Sequence, residues 1–209
     1  MDLIHPEVTD QALQILRRWD LLQGFVIPLI MLVLYVHWNE ISKKNWNGMA
    51  AAMSLYMIHW FVEIINALIQ HFTGHALWTV PGNTAFLILI GVGIEISLMF
   101  SIAGLVASKQ LLDDPKAKIL GINNRLFVAL ANAAFFSICE IPLAKSPHFA
   151  WVYPWWGAVP VFVTVYIPFF CAATYSYDWP RARQKKFIGT LFVINAAMLI
   201  LFGGVFRWI

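Results

Sequence analysis

Long apolar stretches alternate along the chain with short polar segments. An apolar helix of about 20 residues crosses a bilayer, because each residue rises 1.5 Å and the hydrocarbon core is about 30 Å thick. Six stretches approach this length, at residues 21–38, 48–70, 84–107, 126–144, 155–175 and 187–208. The pattern predicts an all-α fold, a polytopic bundle of six transmembrane helices. Pro160 and Pro168 lie inside the fifth stretch and predict a kink there.

The N-terminal segment 1–20 is too polar to be a transmembrane span or the apolar core of a signal peptide. Residues 8–19 predict a short amphipathic helix at the membrane interface, with Asp10 as its N-cap. A frayed terminal segment is the alternative. The chain therefore divides into an interfacial segment, 1–20, and a single six-helix membrane domain, 21–209.

Basic residues lie mostly on one side of the predicted bundle. The loops after the first, third and fifth spans hold ten of the 14 Lys and Arg residues, namely Lys43, Lys44, Lys109, Lys116, Lys118, Arg125, Arg181, Arg183, Lys185 and Lys186. Loops rich in Lys and Arg stay in the cytoplasm, so both termini are predicted to be extracytoplasmic. We expect an integral, multi-pass protein of the bacterial inner membrane or an equivalent membrane.

Composition excludes several classes of protein. The chain is 60% hydrophobic and 12% charged, with a mean hydropathy of +0.70, whereas soluble domains are about 45–50% apolar and about 25% charged. A net charge of +3 over this length forms no basic patch, so we expect no nucleic-acid partner. Cys139 and Cys171 lie in apolar runs, which excludes a disulfide framework and a cysteine-rich zinc site.

Polar residues inside the predicted spans are the candidate functional groups, because such residues are costly in a bilayer. The second span carries His59, Glu63, Asn66 and Gln70, spaced so that all four share one helical stripe. The other spans carry Glu95, Asn132, Ser137, Glu140 and Asn195. Any one of these glutamates alone can be explained as a hydrogen-bonding group that fixes helix packing.

The three glutamates have no basic partner at similar depth. The predicted spans contain no Lys or Arg except Arg207 at the very end, and His59 is the one candidate cation near them. Three ionised carboxylates without counter-charge are strongly disfavoured at low dielectric. They must therefore hold protons, bind a cation or line a wet cavity. We expect a cavity in the middle and outer half of the bilayer, either open to the outer leaflet or capped by the loops 71–83 and 147–156.

The run from His59 to Glu63 resembles the His-x-x-x-Glu helix of the sterol isomerase (emopamil-binding) family, in which His and Glu side chains move protons at a lipid double bond. It is also similar to the small fungal terpene cyclases, in which a membrane carboxylic acid protonates an isoprenoid. Each likeness covers one helix of about a dozen residues, and Ile64 stands where the isomerase pattern has Gly. Both likenesses are chemical analogies.

These residues predict a membrane-embedded enzyme of isomerase or cyclase type that acts on a lipid-like or isoprenoid substrate. Glu63 is the predicted acid, oriented by His59 and Asn66, while Glu95 or Glu140 serves as base or stabilises positive charge. The predicted substrate-binding residues are Trp60, Asn66, Asn132, Phe136, Tyr166 and Asn195. No cofactor is predicted, and the oligomeric state is left open.

Two other functions remain open at this point. His59, Glu63, Glu95 and Glu140, with His71 or His75, are ligand types suited to a transition metal in an oxidase or hydroxylase. Carboxylates at bilayer depth also serve in proton- or cation-coupled transporters, and the chain is equally compatible with a non-catalytic subunit of a membrane complex.

Overall fold

The fold was analysed in a computed structural model, which describes residues 7–209. A short helix, α1, precedes six apolar helices. The helices are α1 (Glu7–Ile15), α2 (Val26–Ser42), α3 (Trp46–Thr73), α4 (Ile94–Ser108), α5 (Asn124–Leu143), α6 (Ala158–Ser176) and α7 (Arg181–Val205). Helices α3, α5, α6 and α7 are long and apolar enough to cross a membrane, whereas α2 and α4 are shorter. The protein is therefore a helical membrane protein, and each predicted span contains one apolar helix.

Helix α3 lies at the centre of the bundle, with α4, α6 and α7 packed around it. Helix α5 packs on α6, and α2 packs on α4. The approach of α3 to α4 depends on Gly104, because a Cβ there would lie 2.5 Å from the main-chain oxygen of Ala51. Small residues allow such close helix contacts in membranes. The polar stripe of α3 is thereby surrounded by other helices.

Successive helices of the bundle run in opposite directions, so α3 and α7 are parallel. The Asn195 side chain of α7 donates a hydrogen bond to the main-chain oxygen of Met57 in α3, at 2.7 Å. We call the end where α3 and α7 begin the basic end, because it holds Lys43, Lys44 and the loops 109–123 and 177–180. The opposite end, formed by residues 74–93 and 144–157, is the cap end.

Two ion pairs, each with one buried partner, hold the basic end together. Arg125 binds Asp178 through two hydrogen bonds of 2.7 and 2.9 Å, which join the start of α5 to the α6–α7 loop. Glu40, at the end of α2, is buried and accepts hydrogen bonds from Lys109 and from the Asn45 amide. These two partners hold the pKa of Glu40, which lies beyond the predicted span 21–38, below its ordinary value. Strands β4 (Lys118–Ile119) and β5 (Ile122–Asn123) form a small hairpin at the same end.

The prediction of a helix over residues 84–107 is wrong in its first third. Residues 87–93 form an antiparallel hairpin of two strands, Leu87–Leu89 (β2) and Val92–Gly93 (β3), and α4 begins only at Ile94. Two glycines in this hairpin lie against other groups. A Cβ on Gly91 would lie 2.5 Å from the Trp78 indole nitrogen, and one on Gly93 would lie 2.2 Å from Thr84 Oγ1. Hydropathy alone does not separate an apolar buried strand from a helix.

The cap end is closed by two loops that pair with each other. Strand Trp78–Thr79 (β1), which follows α3, pairs antiparallel with strand Ala150–Trp151 (β6), which follows α5. Helix α3 ends at Gly74, whose positive φ of 84° favours glycine. The chain can then turn back across the top of the bundle.

Helix α1 packs against the cap end through its buried Val8, Thr9 and Ala12. It begins at Glu7, so Asp10 lies within its first turn and is not the predicted N-cap. The first six residues of the predicted segment 1–20 lie outside the described residues. The sequence predicts a kink in α6, and between its two prolines the helix has a π-helical turn, Phe162–Tyr166. Such turns occur often at functional sites.

Candidate functional site

A cavity of about 450 Å³ lies beneath the cap end, and all four predicted catalytic residues line it. Helix α3 supplies His59 and Glu63, α4 supplies Glu95 and α5 supplies Glu140. Much of the remaining wall is aromatic, formed by Phe100, Phe136, Tyr166, Phe169 and Trp78. The described residues that line the cavity include no Lys or Arg. The charge imbalance of the sequence is therefore present in one shared space.

Glu63 is buried, and one of its carboxyl oxygens is free to meet a ligand. Its Oε1 lies 3.9 Å from His59 Nδ1, one helical turn away on α3. Its Oε2 has no hydrogen-bond partner among the residues that the structure describes. The Trp78 indole nitrogen, a hydrogen-bond donor, lies beside this carboxyl group without forming a bond of normal geometry to Oε2. A buried polar atom without a partner is rare and calls for an explanation, such as a bound ligand.

His59 is fully enclosed by aromatic rings. Its imidazole stacks on Phe100, with ring centroids 4.3 Å apart, and meets the edge of Phe169 at 6.0 Å. Its Nε2 also has no partner among the described residues. Since it is 1% exposed, the ring is held by packing, with one nitrogen towards Glu63.

Glu140 is held by hydrogen bonds on both oxygens. The Tyr166 hydroxyl, in the π-helical turn of α6, donates to Oε1. The Trp151 indole of β6 donates to Oε2 at 3.2 Å. Both oxygens of Glu140 are therefore held in place by donors. Glu140 and Glu63 also interact electrostatically across the cavity.

From its place in the predicted span 84–107, Glu95 is expected near the middle of the membrane, whereas in the structure it lies at the rim of the cavity. Because α4 begins at Ile94, Glu95 occupies its first turn. The Ala85 amide N–H lies 3.3 Å from each of the two carboxyl oxygens. A carboxylate is favoured at this position by the helix dipole. Glu95 therefore holds the loop at Ala85 against the start of α4, and it also lines the cavity.

The roof of the cavity consists of the two loops that the sequence suggested as a cap. Trp78, Val80 and Asn83 come from the first loop, and His148 and Phe149 from the second. Trp78 also stacks on Trp156, with ring centroids 5.8 Å apart. The roof is therefore a packed layer across the cap end.

One side of the cavity reaches the surface between α4 and α5, where these two helices make few contacts. Met99 of α4 and Phe135, Cys139 and Leu143 of α5 line the cavity and are also exposed at the surface. A shallower groove continues from this opening between the same helices towards Asn132. The opening is on the apolar flank of the bundle, which in a membrane faces lipid.

Several predicted site residues lie elsewhere. Trp60 packs beside Ile64, one step round α3 from the polar stripe. Asn66 binds the cap loop, since its amide accepts from the Leu77 N–H and donates to the Trp78 carbonyl. Asn132 pairs with Gln110 in the α4–α5 groove. Of the predicted substrate-binding residues, Phe136 and Tyr166 line the cavity.

Asn195 and the two predicted accessory histidines are also outside the cavity. Asn195 is buried in the α3–α7 contact. His71 stacks on Trp208, with ring centroids 4.8 Å apart. His75 lies beyond the end of α3, with Nδ1 3.4 Å from Thr9 Oγ1. Within residues 7–209 no three His, Cys, Asp or Glu side chains come together as a metal-binding group.

The sequence interpretation missed the partners of the carboxyl groups. Trp151 and Trp78 lie in loops, where tryptophan is often an interfacial anchor. Phe100 was indistinguishable from other apolar residues of its span. The one available signal was the position of both tryptophans in the loops that follow the two glutamate-bearing helices.

Comparison with known proteins shows the family of the chain. Residues 6–204 match the profile of a family described as "Uncharacterized membrane protein family". A protein of Archaeoglobus fulgidus, described as "Uncharacterized protein", is 41% identical over 208 residues, which cover 97% of this chain and 99% of that protein. A second, shorter protein of Archaeoglobus fulgidus with the same description is 40% identical over 52 residues, 24% of this chain and 93% of that protein. No solved structure matches. The chain belongs to this membrane protein family.

Proposed function

We propose that the protein is a membrane-embedded enzyme that isomerises or cyclises an apolar, isoprenoid-like or other lipid-like substrate by acid–base catalysis. One observation carries the proposal: three carboxyl groups and a buried histidine share an aromatic cavity that no described Lys or Arg lines. A carboxyl group in an apolar site keeps its proton and can donate it to an alkene.

In the isomerisation, Glu63 Oε2 donates its proton to one alkene carbon. The substrate becomes a carbocation and Glu63 a carboxylate. Glu140 then accepts a proton from a carbon beside the cation, and the double bond forms in a new position. Glu140 then releases that proton to water, and Glu63 takes up a proton from water, which restores both groups. The reaction needs no oxidant, reductant or co-reactant.

The residues around the cavity suit this chemistry. Phe100, Phe136 and Tyr166 line the space with aromatic rings, a residue type that stabilises a passing cation. Glu140 accepts two hydrogen bonds, whereas Glu63 Oε2 accepts none of normal geometry from the described residues. The two carboxyl groups therefore have different surroundings, as an acid and a base require.

The substrate class follows from the shape and charge of the site. The opening between α4 and α5 is lined by exposed apolar side chains, including Met99 and Phe135. A lipid-like molecule would enter there from the bilayer without crossing water. Three carboxyl groups disfavour an anionic group at the reacting end of the substrate.

We further propose that all six apolar helices cross the membrane, with the basic end in the cytoplasm and both termini outside. The hairpin 87–93, which directly precedes the short helix α4, would then span the remaining depth of the membrane at the cap end. Single cysteines at Lys118 and Gly82, in a chain without Cys139 and Cys171, test the orientation. A membrane-impermeant maleimide on intact cells should label position 82 and not position 118, and the reverse result would overturn the orientation.

The enzymatic proposal is tested on purified protein in nanodiscs made from a total lipid extract of its native membrane. Chromatography with mass spectrometry should find a lipid that is converted into an isomer of identical mass. The Glu63→Gln variant should reduce the rate at least about a hundredfold. Asp113→Asn, an exposed carboxyl-to-amide change at the basic end, should leave the rate unchanged. No conversion by the wild type, or equal conversion by Glu63→Gln, would overturn the proposal.

A further inference from the structure

A second, more open groove lies between α3 and α7 at the basic end, on the far side of the bundle from the α4–α5 opening. It has a volume of about 710 Å³. Its floor and walls are apolar, with Met49, Met53 and Met57 from α3 and Ile188 and Phe192 from α7. The rest of the protein covers little of helix α7, since only 6% of its most apolar stretch is buried.

Positive charge marks one end of this groove. Arg181 and Lys185 line it, and both are exposed at the start of α7. Arg181 contacts the neutral side chain of Gln184, and neither basic residue pairs with a carboxylate among the described residues. The described residues that line the groove include no Asp or Glu. The groove is therefore basic at its mouth and apolar along its length.

The length of the groove matches one lipid tail. The eleven residue steps from Arg181 to Phe192 correspond to about 16 Å of helix, and one leaflet of the hydrocarbon core is about 15 Å thick. Trp46, which is 48% exposed, lies at the same end as the two basic residues. Tryptophan commonly lies at the level of the lipid headgroups.

We propose that this groove is a binding site for an anionic phospholipid. The phosphate lies between Arg181 and Lys185, and one tail lies along Met49, Met53 and Phe192. Charge complementarity and the apolar lining together favour this occupant, because basic pockets between membrane helices bind anionic headgroups. The site is separate from the carboxyl cavity and does not depend on the function proposed for it.

Gly189 provides a direct way to fill the groove. It lines the groove, and a Cβ added there meets nothing within 4 Å. Gly189→Leu would therefore occupy the tail path without a clash in the fold. Gly204→Leu is the matched control, because Gly204 lies on the same helix, also has open space around it and does not line the groove.

The test is a titration of the purified full chain with phosphatidylglycerol or phosphatidylcholine, read by native mass spectrometry. Phosphatidylglycerol should bind more tightly. Gly189→Leu should abolish that preference, and Lys185→Gln should weaken phosphatidylglycerol binding about fivefold. Gly204→Leu and Lys186→Gln, which changes a neighbouring lysine outside the groove, should bind as the wild type does.

Three outcomes would overturn the proposal. Equal binding of the two lipids would show that the basic residues do not select an anionic headgroup. Unchanged phosphatidylglycerol binding by Gly189→Leu would place the lipid elsewhere. If inorganic phosphate displaced phosphatidylglycerol completely, the site would bind the anionic headgroup alone and the groove would not hold a lipid tail. None of these results affects the enzymatic proposal, which is measured on lipid conversion.

Discussion

Trp78 and Trp151 stand directly opposite each other in the two-stranded pair that closes the cap end. Directly opposite residues of an antiparallel pair project to the same face. The Trp151 indole donates a hydrogen bond of 3.2 Å to Glu140, and the Trp78 indole lies against Glu63. Each half of the roof therefore contacts one of the two deeply buried carboxyl groups, and the roof positions the site that it covers.

Loss of the indole donor at Glu140 should impair the reaction. Trp151→Phe keeps an aromatic ring in β6 but removes the hydrogen bond to Glu140 Oε2. A hydrogen bond to a charged group contributes about 1.5–3 kcal/mol, so we expect a fall in lipid conversion of roughly tenfold or more. Trp155→Phe, which changes an exposed indole outside the cavity, is the control. Equal rates of lipid conversion for the two variants would show that this hydrogen bond from the roof does not contribute to the reaction.

Alkylation of Cys139 should block the cavity. Its thiol is exposed and lines the opening between α4 and α5. N-ethylmaleimide, which enters apolar sites, should attach there and stop lipid conversion, with modification followed by intact-protein mass. Cys139→Ser should keep its activity after the same treatment. Cys171→Ser should remain sensitive, since Cys171 does not line the cavity. Full activity of a Cys139-alkylated protein would contradict the proposed entrance.

The ion pair between Arg125 and Asp178 should be important for stability. Arg125 is 2% exposed, so Asp178→Asn leaves the buried guanidinium without its charged partner. Breaking a buried pair costs about 3–5 kcal/mol, which corresponds to a fall in Tm of roughly 10 °C for a chain of this size. Thermal unfolding in detergent measures it. The exposed pair of Arg18 and Asp20 is the comparison, and Arg18→Gln should leave Tm unchanged.

The contact of Lys109 with Glu40 should make stability depend on pH. Because these contacts lower the pKa of Glu40 in the folded protein, they stabilise the fold fully above the unfolded value of about 4.3. This contribution is lost as pH falls through the lower folded value. Between pH 7 and pH 3, the stability difference between wild type and Glu40→Gln should therefore shrink. A difference that stays constant over this range would contradict the pairing.

The sequence predicted the helical part of the fold because hydropathy is a local property. Each of the six apolar stretches contains a helix, and Pro160 and Pro168 flank the irregular turn of α6. The hairpin 87–93 was mistaken for the start of a helix, since Leu87, Leu89 and Val92 are as apolar as a span. What distinguishes it is the close packing of its glycines against α3 and the first cap loop, which no local pattern reveals.

The site was predictable where one helix carries it and less so where several do. His59 and Glu63 lie one turn apart on α3, so their common face followed from helical geometry. The position of Trp60 away from the cavity follows from the same geometry. Asn66 shares the stripe but is occupied by the main chain of the cap loop. That contact joins residues eleven and twelve positions apart through a turn, and only the folded structure fixes it.

The proposed reaction begins with proton transfer from Glu63 to carbon, and isotope labelling tests this step directly. The protein in nanodiscs of native lipid is incubated in D₂O, and the product lipid is analysed by mass spectrometry. Donation from Glu63 predicts one deuterium bound to carbon in the product, and Glu63→Gln should form no such product. A product without deuterium, or labelling that persists in Glu63→Gln, would contradict the account.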